Sequence, residues 1–132
     1  MILNWRAIGV AFVVTLVLSI IFGIYLPKNI GLIGPIIGGL LAGYMVGGSY
    51  TEGLVNGGIP AGIAGSIYTV SVVSILGSKI IAEAVAIGYT GSTGTLLISA
   101  VIGGVIGGFA IYFFLGIIGS IIGVVIKNRN KG

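Results

Sequence analysis

This sequence predicts an all-α membrane protein of about four transmembrane helices held together by Gly-xxx-Gly packing, and three observations carry that prediction. The chain is 57% apolar and only 6% charged over its 132 residues, whereas a soluble domain carries about 25% charged residues. The apolar residues fall in long runs, each near or above the roughly 20 residues that cross a hydrocarbon core of about 30 Å. Glycine supplies 26 residues, far above a usual share of about 7%, and most of them sit inside those runs. The whole chain, 1–132, reads as one transmembrane domain.

The first run is Ile8 to Leu26, with Trp5 and Arg6 before it and Tyr25, Pro27 and Lys28 closing it. Those are interfacial anchors at both ends and a proline that stops the helix. A secretory signal peptide would have a shorter apolar stretch and a small-residue cleavage site, so this run is read as a retained helix. The second run, Ile30 to Gly48, follows within a few residues and makes an antiparallel hairpin with the first. Pro35 falls near its start, where a missing N–H costs little.

Ser49-Tyr50-Thr51-Glu52 matches a capping box, with the serine as N-cap and the glutamate three residues on. The third helix is therefore expected from Tyr50 to about Leu76, kinked or broken at Pro60. Ser78 to Gly88 reads as a short interfacial helix before the last span. Ile80, Ile81, Ala84, Val85 and Ile87 share one face, and Lys79 and Glu83 stand four apart on another, where they can pair. Tyr89 to Thr95 is a polar turn; it lacks the Gly-Lys-Ser/Thr ending of a phosphate loop. The last run, Leu96 to Ile126, measures roughly 46 Å as a straight helix. That exceeds the bilayer core, so the helix is expected to tilt or break, with Gly116 and Gly119 as the bend points. Residues 127–132 form a short basic tail.

The glycine spacing singles out packing faces. Gly39, Gly43 and Gly47 repeat every four residues in the second helix. Gly57, Gly58, Gly62 and Gly65 lie in the third, and Gly103, Gly104, Gly107 and Gly108 in the fourth. Residues four apart share a helix face, and in lipid helices associate where small residues let backbones approach. The first helix holds only Gly9 and Gly23 and is expected to sit outside, toward lipid. Helices two and four carry glycines on adjacent faces, more than one four-helix bundle needs, which points to self-association. Ile36 to Tyr44 also echoes Val101 to Phe109, a candidate internal repeat.

Chemistry is poorly supplied. Cysteine and histidine are absent, and the carboxylates are Glu52 and Glu83, so no metal site, no cofactor and no general base suggest themselves. The pattern predicts that the chain is not an enzyme. The net charge of +4 comes from Arg6, Lys28, Lys79, Lys127, Arg129 and Lys131, which punctuate the ends of apolar runs. That is membrane topology rather than a nucleic-acid face. With four spans both termini share one side, and Arg6 with the basic tail places that side in the cytoplasm.

Gly38-Gly39-Leu40-Leu41-Ala42-Gly43-Tyr44-Met45-Val46-Gly47-Gly48-Ser49, followed by Gly53, Gly57, Gly58 and Ala61-Gly62, resembles a family of small archaeal membrane proteins. That family is common in methanogens and halophiles and is catalogued as a domain of unknown function. The opening Asn4-Trp5-Arg6-Ala7 resembles its methanogen members. The resemblance is best over the first half of the chain. It implies an archaeal cytoplasmic membrane and four helices, and it brings no activity and no functional residues.

Two function classes follow. The first is a non-enzymatic structural or assembly protein, a homo-oligomer or a small subunit of a larger membrane complex, with lipids as its surroundings. The alternative is a channel or carrier for ions or small solutes, with Glu83 as the candidate ionisable site. The hydroxyls in the runs (Thr15, Ser19, Ser66, Thr69, Ser71, Ser74, Ser99 and Ser120) are expected to bond to backbone carbonyls, within or across helices.

Overall fold

A computed structural model of the chain describes residues 3–25 and 32–131. Four helices make up the described residues. Helix α1 is Trp5–Ile20, prolonged by a π turn, Ile21–Tyr25. Helix α2 is Ile33–Val46, α3 is Tyr50–Ala86 and α4 is Thr93–Lys131. Of these, α1, α3 and α4 are long and apolar enough to cross a membrane, and α2 is shorter.

Local chemistry explains where each helix starts and stops. Helix α1 begins three residues before the apolar run because the Asn4 side chain accepts a hydrogen bond from the Ala7 N–H at 3.1 Å, an N-cap. Helix α2 has 14 residues, about 21 Å, so it is shorter than the span read from the sequence. It stops where Gly47 and Gly48 turn left-handed, at φ 61° and 65°, a conformation that costs glycine little. Ser49 then caps α3 by accepting from the Glu52 N–H at 3.3 Å.

Helix α3 absorbs Pro60 without breaking. A proline lacks its own N–H and pushes against the carbonyl four residues back, here that of Asn56. The turn Leu54–Gly58 is π-wound, which opens the ladder at that point. The interfacial helix expected at 78–88 is instead the last part of α3. It is joined through a single non-helical residue, Leu76, at φ −109° and ψ 17°. Its neighbour Gly77 faces Leu97 of α4, so continued packing on α4 keeps the chain in line. Gly88, at φ 100°, turns the chain toward α4.

Helix α4 also departs from expectation. It is one helix of 39 residues, beginning at Thr93 and running through the basic segment to Lys131. Gly116 and Gly119 are not bend points; they lie buried against neighbouring helices. Gly132 lies outside the described residues.

Interhelical contacts fix the directions. A Cβ added at Gly38 would strike Ala11 and Thr15, and one at Gly34 would strike Thr15 and Ser19, so α1 and α2 are antiparallel. Gly39 lies against Gly116 and Gly43 against Ser120, which makes α2 and α4 parallel. Gly53 meets Val124, Gly65 meets Gly108, and Gly104 meets Thr69, an antiparallel row along α3 and α4. Helix α1 follows α3 from Asn4, which donates to Asn56, up to Gly23 beside Tyr68. Past Tyr68, α3 runs on to Ala86, about 27 Å of helix, with only α4 beside it among the described residues.

Replacement of a glycine on a backbone contact should therefore act very differently from replacement on the outside. Gly39→Leu drives a side chain into the Gly116 backbone and is expected to lower unfolding stability by about 3 kcal/mol or more. Gly9→Leu, with nothing within 4 Å of its added Cβ, should change it by under about 0.5 kcal/mol. Denaturant unfolding in mild detergent measures both.

Candidate functional site

The best-built part of the molecule is the junction where α2, α3 and α4 meet. Ser120 of α4 is fully buried, and its hydroxyl donates to the Gly39 carbonyl of α2 at 3.1 Å. The same hydroxyl fills the space a side chain at Gly57 of α3 would need, and the Gly39 Cα would lie 3.4 Å from that side chain. Three backbones therefore converge on one serine, and no residue larger than glycine fits at positions 39 or 57.

Immediately before Gly57 on α3, Asn56 is fully buried. Its amide Nδ2 donates to the Glu52 carbonyl at 2.7 Å, and its Oδ1 accepts from the Asn4 N–H at 2.7 Å. The π turn supplies the room, and the amide in return ties the start of α1 to α3. At the same end, the Asn128 amide donates to the Gly48 carbonyl at 3.1 Å. Lys127 Nζ sits 4.9 Å from the centre of the Tyr44 ring, a cation–π distance.

The glycines singled out from the sequence fall into three groups. Gly39, Gly43, Gly57, Gly58, Gly62, Gly65, Gly104 and Gly108 all have a neighbouring helix where a side chain would go. For Gly58 and Gly62 that neighbour is a side chain of α4, Ile117 with Phe113 in one case and Phe109 in the other. Gly47 serves the turn after α2. Gly103 and Gly107 have nothing within 4 Å of an added Cβ, so neither is used in packing among the described residues. The two halves of the sequence echo also differ: Gly38 and Gly39 are buried, whereas Gly103 is exposed.

Five of the hydroxyls expected to bond to backbone carbonyls do so, Ser120 among them. Ser66 donates across to the Val105 carbonyl at 2.9 Å, while Thr69, Ser71 and Ser74 donate to the carbonyls four residues back. Thr15 Oγ1 is buried with no hydrogen-bond partner among the described residues. Glu83 is exposed near the end of α3, on the two-helix part. Lys79 is also exposed there, and the ion pair anticipated between them is not formed. No group of three or more acidic, histidine or cysteine side chains that could hold a metal occurs among the described residues.

Two sets of residues escaped the sequence reading. Ala7, Ala11, Thr15 and Ser19 are fully buried and form a row with period four on α1, so that helix is packed into the bundle rather than set apart toward lipid. The spacing was visible, but it is written in alanine and hydroxyl residues instead of glycine. The second is a packing row on α4 facing α2: Gly123, and Gly116 and Gly119, which the sequence reading took for bend points; Ser120 in the same row makes the bond to a carbonyl that was expected of it. Asn56 had a weaker signal, as a single amide in an apolar run before a proline.

The chain belongs to the family of unknown function DUF5518, which matches it over residues 5–126. No curated protein and no solved structure matches it. The family carries no assigned chemistry, and the molecule itself is a multi-span helix bundle whose polar groups are engaged mainly with backbone.

Asn56→Leu removes both of that amide's interhelical and intrahelical bonds. The expected loss is about 1–3 kcal/mol for the backbone groups left without partners. Hydrogen exchange should quicken at the start of α1, around Asn4 to Ala7, while the Gly116–Val124 stretch of α4 stays protected.

Proposed function

We propose that this protein is a non-enzymatic structural component of the membrane that assembles with copies of itself. The observation that carries the reading is the part of the α3–α4 hairpin beyond Tyr68. There Ile75 is 56% exposed and Ile98 62% exposed, and at its foot, level with Gly65 to Val70, Gly103 and Gly107 present a surface that no described residue fills, where a helix could approach closely. Within the four-helix part most small residues of α2 and α3 are already covered by neighbours.

Trp5 to Gly23 is 19 residues, about 28 Å, and matches the hydrocarbon thickness. With the bilayer placed there, the hairpin extends past it, and its apolar flanks need a protein neighbour rather than lipid. Arg6, Lys127 and Arg129 belong to the opposite end, which we assign to the cytoplasm by the positive-inside rule. Both termini then face the cytoplasm. A role as a small subunit of a larger membrane complex would use the same flanks. The channel alternative gains no observation, since Glu83 stands on the outer surface of the hairpin and not along an enclosed path.

The native mass of the protein, extracted with its own lipids, tests this reading. A closed homo-oligomer is expected, and Gly103→Leu with Gly107→Leu should shift it toward monomer while leaving the unfolding midpoint of the monomer within the ordinary range for surface changes. A wild-type monomer would sink the assembly reading. Stable association with different, larger subunits would replace self-assembly by an accessory role.

A further inference from the structure

Two apolar hollows lie side by side at the Trp5 end of α1. One is a groove of about 340 Å³ between α1 and α3, lined by Trp5, Ile8 and Phe12 on one wall and Val55, Ile59 and Ile63 on the other. Every lining residue is apolar. It lies beside the π turn Leu54–Gly58 and Pro60 of α3. The second is a shallow trough of about 440 Å³ that runs down the outside of α1 over Gly9, walled by Val10 and Val13 and headed by Arg6. Gly9 makes it hollow, with nothing within 4 Å of its added Cβ. Trp5 lines both hollows and stands between them, 75% exposed.

Arg6 is exposed and forms no ion pair among the described residues. A tryptophan with an adjacent arginine at the end of a membrane helix lies at headgroup level, and basic side chains there attract anionic lipid. We propose that this end of α1 holds one two-chain anionic lipid astride Trp5. One chain lies in the α1–α3 groove and the other in the Gly9 trough, with the headgroup phosphate on the Arg6 guanidinium. Two apolar channels with one cation at their head match a lipid with two chains and one negative charge. A free anion would have no use for the channels, and a zwitterionic lipid offers the arginine a phosphate whose charge its own headgroup cation already offsets. The site is independent of how copies assemble, since it lies at the opposite end from the protruding hairpin.

Trp5 is the only tryptophan, so its fluorescence reports on the site directly. The protein is reconstituted into phosphatidylcholine vesicles containing a minor fraction of chain-brominated lipid, either phosphatidylglycerol or phosphatidylcholine. Bromine quenches the indole on contact. The anionic probe is expected to be enriched at Trp5 by roughly fivefold over the neutral one, the scale of one basic residue near an anionic lipid. Arg6→Gln should abolish that preference. Gly9→Leu, which fills the trough and leaves the charge, should reduce it. Lys127→Gln with Arg129→Gln, which lowers the charge of the same end elsewhere, should leave most of it. Equal quenching by the two probes in the wild-type protein overturns the proposal. So does a preference that survives Arg6→Gln or that disappears with the Lys127 and Arg129 changes, because the attraction would then be the general charge of that end.

Discussion

Everything in this molecule depends on how closely α4 lets other backbones approach it. In lipid there is no hydrophobic gain in bringing apolar side chains together, so helices hold through dense van der Waals contact and interhelical hydrogen bonds. Helix α4 provides both on two faces. One face, through Gly104, Gly108, Gly116 and Ser120, receives the small residues of α3; the other, through Gly116, Gly119 and Gly123, receives α2. Gly116 and Ser120 take part on both. Ser120 adds the hydrogen bond to the Gly39 carbonyl, which locks the height of α2 against α4 as well as their separation.

Helix α1 joins by the same rule with different residues. Its buried row of Ala7, Ala11, Thr15 and Ser19 accepts the glycine face of α2 at Gly34 and Gly38. Ser19 also hydrogen-bonds the Tyr112 side chain of α4, and Tyr112 stacks on Tyr68 of α3 at 5.9 Å between ring centres. The aromatic pair thus marks the level at which α1 gives out. Below it four helices share the packing; above it, among the described residues, the hairpin has only its own two. The start of α1 is fixed separately, by the Asn4 and Asn56 bond at the π turn.

Much of this was legible in the sequence, and the gaps have physical causes. The class of fold follows from charge content and run length, and most glycines of helices two and three with Gly104 and Gly108 do lie at helix contacts. Boundaries were less legible. Helix α2 is set by two left-handed glycines that look, in sequence, like the end of a packing row. The α3 segment after Leu76 has the charge and amphipathic pattern of an interfacial helix, but continued contact with α4 outweighs that local preference. Gly116 and Gly119 illustrate the ambiguity most plainly. A glycine in a long apolar helix can be a weak point or a place for another backbone, and only the partner's position decides. Gly103 and Gly107 show the converse, a packing motif by spacing that none of the described residues fills.

The distribution of polar groups follows from the same constraint. A buried hydroxyl or amide in lipid is costly unless it bonds, and Ser66, Ser120 and Asn56 all spend their bonds on backbone carbonyls or amides of the chain. Groups used this way set register and have little capacity left for a reacting partner. Of the charged side chains, Arg6, Lys79, Glu83 and Arg129 are by contrast exposed and Glu52 and Lys127 half-buried, at the ends of the helices, where they can position the bundle against lipid headgroups or neighbours at little desolvation cost. A bundle that consumes its interior polarity in holding itself together and keeps its charges at the outside is arranged for contact with other molecules along its surface. In this chain that surface has two distinct ends, a basic one with Trp5 and its hollows and the protruding hairpin with its exposed isoleucines, so the proposed lipid site and the proposed assembly face need not compete.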